Sequence, residues 1–100
     1  MLPKPLRLIG LARRAGKLIC GSDAVKDAAG RAKLIFIAAD AGQNVRREAE
    51  RYGKRIVVLP YSKEELGHAA GRGQCAVAAV IDEEFGILEA LGEEQHMEES

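Results

Sequence analysis

Apolar positions along this chain change period several times, and each change marks an element. Between residues 5 and 15, Leu8, Leu11, Ala12 and Ala15 recur at helical spacing. Pro5 suits the first turn of such a helix and Gly16 its end. Arg7 and Arg14, two turns apart, share a face away from that stripe. Residues 18–20 form a short strand that Gly21 ends. Ser22 is a candidate N-cap for a helix over 23–29, with Asp23 favourable at its positive end. Ala24, Val25, Ala28 and Ala29 give that helix a narrow face of small side chains, and Gly30 closes it.

The run LIFIAA at 34–39 is apolar without interruption, as expected of a strand buried on both faces. Asp40 and Gln43 have capping-box spacing, and Asn44 is an alternative cap. Val45, Ala49 and Tyr52 mark the inner face of the helix that follows, while Arg46, Arg47, Glu50 and Arg51 mark its solvated face. A strand at 56–59 ends at Pro60. The string SKEE at 62–65 is a capping box that opens a helix with Leu66, Ala69 and Ala70 inside. Residues 72–74 form a loop before a strand at 75–81. Asp82 is placed to cap a last helix, packed down by Phe85, Leu88 and Leu91. The order is αβαβαβαβα, which predicts an α/β fold: a sheet covered on both faces by helices, in three layers. The reading is one domain over 1–92 and an acidic, flexible tail over 93–100.

Composition sharpens this picture in two ways. Aromatics make up only 4% of the chain against 47% apolar residues, so the core must be aliphatic and base stacking of the kind used by aromatic RNA-binding sheets is disfavoured. Net charge is zero, yet residues 1–55 carry +8 and residues 56–100 carry −8. That polarity suggests a basic working face, although charge blocks also arise simply to solvate two surfaces. The N-terminal string MLPKPLRLIG lacks the apolar core of a signal peptide, and no apolar run approaches the roughly 20 residues that span a bilayer. A cytoplasmic location is expected.

Catalytic candidates are weak. Cys20 and Cys75 are far apart in sequence, lack metal-ligand spacing and sit in apolar segments, as small buried hydrophobes do. His68 and His96 have no cysteine or carboxylate at metal spacing. Ser22 and Ser62 serve as caps, and the glycines form neither a dinucleotide nor a Walker signature. No cofactor, metal site or enzymatic activity is expected. Binding signals are stronger. Arg13, Arg14 and Lys17 flank the turn before Gly21, where a helix start leaves backbone N–H groups to meet an anion. Arg72, Gly73 and Gln74 form the loop before the final strand. A polyanion, RNA first, is the expected partner.

The strings GLARRAGKLICG (10–21), AKLIFIAAD (32–40), SKEELGHAAG (62–71) and AVAAVID (76–82), in this order, resemble the kink-turn-binding ribosomal protein family of L-seven-Ae and L-thirty-e, closest to its bacterial YlxQ-type branch. The resemblance spans roughly residues 5–91. It implies a three-layer α/β/α sandwich with a four-stranded mixed sheet, no enzymatic activity, and structured RNA, such as ribosomal RNA, as partner. It further implies contact through the start of the second helix, here Gly21 to Lys26, and through the loop Arg72 to Gln74. The family pattern glycine-x-asparagine-glutamate-x-x-lysine is altered here. Gly21 matches, but Asp23, Ala24 and Asp27 replace the three polar positions, with Lys26 one place early. Aspartate cannot donate the hydrogen bonds an asparagine amide gives. The expected site is therefore Arg13, Arg14, Lys17, Gly21, Ser22, Asp23, Lys26, Arg72, Gly73 and Gln74. A protein-interaction module on the same fold, with specific RNA binding lost, is the alternative that the acidic second half and the altered motif allow.

Overall fold

The computed structural model describes residues 2–92, so the tail expected at 93–100, His96 included, lies outside the described residues. The chain runs through α1 (Lys4–Arg14), β1 (Leu18–Cys20), α2 (Ser22–Ala28), a single 3-10 turn (Ala29–Arg31) and β2 (Ala32–Ile37). It continues through α3 (Gln43–Glu50), β3 (Ile56–Val58), α4 (Lys63–Ala69) and β4 (Val77–Ile81), and residues 87–92 are again helical. The expected element order holds, with ends moved by no more than three residues except in the last helix, which starts at residue 87 and so leaves out Phe85, whose φ is 57°.

The four strands form one sheet in the order β1-β4-β2-β3. β2 and β3 are parallel, joined by α3, whereas β4 runs antiparallel to both β1 and β2. The sheet is therefore mixed. Its two central strands are almost wholly buried and its two edges are only three residues long, which limits edge pairing with other chains. Alternation along the central strands divides the core. Leu34, Phe36, Ala78 and Val80 face α1, α4 and the last helix, joined by Leu6, Ile9, Ala12, Leu66 and Ile87. Ile35, Ile37, Val77 and Ala79 face the other way, with Val25 of α2 and Ala49 of α3. This is the three-layer α/β/α arrangement.

Four expectations are corrected in detail. The buried face of α1 is Pro5, Leu6, Ile9 and Ala12, while Leu11 is 50% exposed. Asp40 does not cap α3, which Gly42 precedes; its carboxylate instead accepts from the Lys63 N–H at 2.7 Å and so helps to seat α4. Asp82 caps no helix. It has φ 71° and its carboxylate is ion-paired with Lys17. The strand expected at 75–81 begins only at Val77, because Cys75 still belongs to the loop and its N–H donates to the Lys63 carbonyl at 3.0 Å.

The capping box of α4 forms in full. Ser62 Oγ accepts from the Glu65 N–H at 3.1 Å, and Glu65 Oε1 accepts from the Ser62 N–H at 3.0 Å. Ser62→Ala leaves the Glu65 N–H without its acceptor and is expected to lower stability by about 1 kcal/mol, read as a shift of the thermal unfolding midpoint.

Candidate nucleic-acid interface

Two segments meet at one end of the sheet. β1 finishes there at Cys20, and Gly21 turns the chain into α2 with φ 98°, a conformation that a side chain would strain. Gly21, not Ser22, occupies the N-cap position, and no side chain caps α2 among the described residues. The serine instead opens the helix itself, with Ser22 and Asp23 both exposed. The first amides of α2 thus lie at the surface beside a residue with no side chain, where an anion can approach closely.

The second segment is the loop between α4 and β4. Gly71 ends α4 with φ 74°. The Arg72 N–H then donates to the Gly67 carbonyl at 2.7 Å, and the chain doubles back along α4. Gly67 has no Cβ because one would stand 2.7 Å from the Gln74 Cα and 2.8 Å from the Gly73 carbonyl oxygen. Arg72, Gly73 and Gln74 are all exposed. The guanidinium of Arg13 lies over Gly71, at the negative end of α4, where any side chain at position 71 would collide with it. This contact ties the end of α1 to the loop.

The carbonyl of Val77 joins the two segments. It accepts from the Gly21 N–H at 3.0 Å and from Cys75 Sγ at 3.2 Å. The Cys75 thiol and the amide that follows Cys20 thus converge on one oxygen, which sets the two cysteines beside each other, and the charge of Arg72 acts on both. A hydrogen bond from Cys75 lowers Cys20 to about 7 against the opposing effect of burial, and the Arg72 charge lowers it further. Cys75 is pushed up, first by its hydrogen bond with Cys20 and then by burial. Reading these residues as isolated buried hydrophobes missed this pairing. They are 55 positions apart, and only the antiparallel register that sets Cys20 opposite Ala78 brings them together.

The remaining cations are distributed more widely than the sequence reading places them. Lys17 Nζ is ion-paired with Asp82 at 2.5 Å at the opposite end of β1. Four strand residues of roughly 3.3 Å each put it on the order of 13 Å from Gly21. The hydrogen bond and charge of Lys17 hold the Asp82 carboxyl below its ordinary range, with Arg31 and Lys33 adding to the effect. Lys17 is thus removed from the Gly21 cluster. Lys26 is exposed in the last turn of α2. Arg14 shares a groove of about 560 Å³ between α1 and α4 with Arg7 and His68, as the seven-residue spacing of the two arginines requires. Among the described residues, no group of His, Cys, Asp and Glu side chains is arranged to hold a metal ion. No helix among them is long and apolar enough to cross a membrane.

No family model matches the chain. Among curated proteins it is similar to the RNA-binding protein YlxQ of Bacillus subtilis (strain 168), 36% identical over 87 residues, covering 78% of this chain and 83% of the relative. It is also similar to the RNA-binding protein YlxQ of Enterococcus faecium, 43% identical over 87 residues, covering 82% and 84%. Among solved structures, a Bacillus halodurans protein of unknown function superposes with a TM-score of 0.79 at 27% identity, covering 91% of this chain and 99% of that one. A 15.5kD RNA binding protein of Giardia lamblia superposes with a TM-score of 0.66 at 22% identity, covering 92% and 85%, a likeness of fold. The fold is of the L-seven-Ae type, and with its identity to both curated relatives extending over more than four-fifths of their length, the chain belongs to the YlxQ family.

Proposed function

We propose that this chain is a non-enzymatic, cytoplasmic RNA-binding protein that recognises structured RNA, associated with the ribosome, through the start of α2 and the loop from Arg72 to Gln74. The observation that carries this reading is the meeting of an α2 start without a side-chain cap and an arginine-bearing loop at the Val77 carbonyl. Its support is that both curated relatives carry RNA binding in their names. Arg13, Arg14, Lys26 and Arg72 hold phosphates. Gly21 and Ser22 let a sugar-phosphate backbone come near, and Gly73 with Gln74 meet the opposite strand or a protruding nucleotide. Asp23 stands where kink-turn binders carry an amide. As an acceptor only, it pairs with an amino group on a base rather than with a carbonyl. Lys17, held by Asp82, contributes no contact.

The test is a titration with a kink-turn RNA and with a plain duplex of equal length, each at about 50 mM and about 200 mM salt, because phosphate attraction alone weakens steeply over that range. The reading expects tighter binding to the kinked RNA that persists at the higher salt. Equal, steeply salt-dependent binding to both would reduce the site to general phosphate attraction. No binding at low salt would overturn the reading in favour of a protein-interaction module.

A further inference from the structure

Cys20 closes β1 and Cys75 stands two residues before β4, so each thiol is attached to one of the two segments that form the interface. Both belong to the same core cluster, Cys20 with 9% of its surface exposed and Cys75 with 2%. Both are free thiols, and the Val77 carbonyl brings them together: it accepts from Cys75 Sγ at 3.2 Å and from the N–H of Gly21, the residue that follows Cys20, at 3.0 Å. We infer that Cys20 and Cys75 are a modification site for a peroxide oxidant, forming a reversible disulfide that fastens the α4–β4 loop to the start of α2. Only the consequence for RNA rests on the function proposed above; the chemistry stands on the thiols alone.

Cys20 is the attacking sulfur. It is the more exposed of the two, and its ionised form is favoured by the Cys75 hydrogen bond and the Arg72 charge. The Cys20 thiolate attacks one oxygen of hydrogen peroxide. A sulfur–oxygen bond forms, the oxygen–oxygen bond breaks, and the departing hydroxide takes a proton to leave as water. Cys75 Sγ then attacks the sulfur of the Cys20 sulfenic acid. The disulfide forms, the sulfur–oxygen bond breaks, and the leaving hydroxide takes the Cys75 proton as a second water. Two thiols are oxidised by two electrons and one peroxide is reduced to two waters. The reverse needs a dithiol reductant. Gly71 and Gly73, on either side of Arg72, give the loop the backbone freedom to follow Cys75 as the sulfurs close.

The test treats the folded, fully reduced chain with hydrogen peroxide at neutral pH, blocks remaining thiols with an alkylating reagent, and reads intact mass and linked peptides. The expected product takes up no alkyl group, weighs two hydrogens less than the reduced chain, joins the peptides holding residues 20 and 75, and reverts with dithiothreitol. Cys75→Ser should stop at a sulfenic acid on Cys20 that dimedone captures, and Cys20→Ser should leave Cys75 reduced. Two alkylated thiols after peroxide, or a linkage that forms only in denaturant, would overturn the inference. RNA affinity of the same two samples should differ by about fivefold or more. Equal affinity would overturn the coupling to the interface. A reduced chain that binds no RNA would instead defeat the proposed function, leaving the disulfide to be judged by mass alone.

Discussion

The double charge reversal Arg13→Glu with Arg14→Glu is expected to lower RNA affinity by about a hundredfold at near-physiological salt while leaving the chain folded. Both side chains are exposed at the end of α1, and neither contributes to the core. Each substitution removes a phosphate contact and adds a negative charge facing the same polyanion. Affinity should therefore fall and its dependence on salt should flatten. The structural cost is small. The Arg13 guanidinium over Gly71 sits favourably at the end of α4, and losing it costs about 0.3–1 kcal/mol. That is a minor part of the roughly 5–15 kcal/mol that stabilises a domain of this size. Thermal unfolding and RNA titration on the same preparation check both halves, and undiminished affinity in a folded double variant would refute the arginine contacts.

Gly67→Ala is expected to cost about 2 kcal/mol, a result contrary to intrinsic preference. Alanine is the better helix former by about 1 kcal/mol, and position 67 lies inside α4. Its Cβ would, however, meet backbone, 2.7 Å from Gln74 Cα and 2.8 Å from the Gly73 oxygen, where no flexible side-chain end can swing aside. The loop must move as a unit, and overpacking against backbone on this scale lies at the upper end of about 1–3 kcal/mol, which the helix gain of about 1 kcal/mol only partly offsets. The displaced residues are Gly73 and Gln74, with Arg72 held to Gly67 through its 2.7 Å hydrogen bond. RNA affinity should fall along with the unfolding midpoint. A stabilised Gly67→Ala variant with full affinity would mean that close packing of the loop on α4 matters to neither property.

The order of elements was legible because its punctuation is local. Glycines end helices, Ser62 and Glu65 form their box within one turn, and uninterrupted apolar runs mark the two buried strands. The errors share a physical cause, since each concerns a choice that local pattern leaves degenerate. In α1 two apolar rows compete, and Leu8 with Leu11 is as periodic as Leu6 with Ile9; only packing against the sheet selects the second. Strand direction leaves no trace in the periodicity, so a mixed sheet was implied by the family resemblance alone, and only the structure shows that β4 is the reversed strand. Asp40 looked like a cap for its own helix yet serves Lys63, 23 positions later. Lys17 looked like part of a basic cluster yet pairs with Asp82, 65 positions away. The candidate site was legible as two segments, because Gly21 and the Arg72 loop each announce themselves as turns. Their meeting at the Val77 carbonyl, with the cysteine pair beneath it, depends on the β1–β4 register, and single-chain patterning carries no register between strands so distant in sequence.

The most direct test of the account follows backbone amide resonances of the reduced chain while a kink-turn RNA is added. The account predicts that the first and largest shifts fall on Gly21, Ser22 and Asp23 and on Arg72, Gly73 and Gln74 together, with the ion-paired Lys17 and Asp82 at the far end of β1 unmoved. Shifts confined to the groove between α1 and α4, or to the Lys17 end of the sheet, would contradict it.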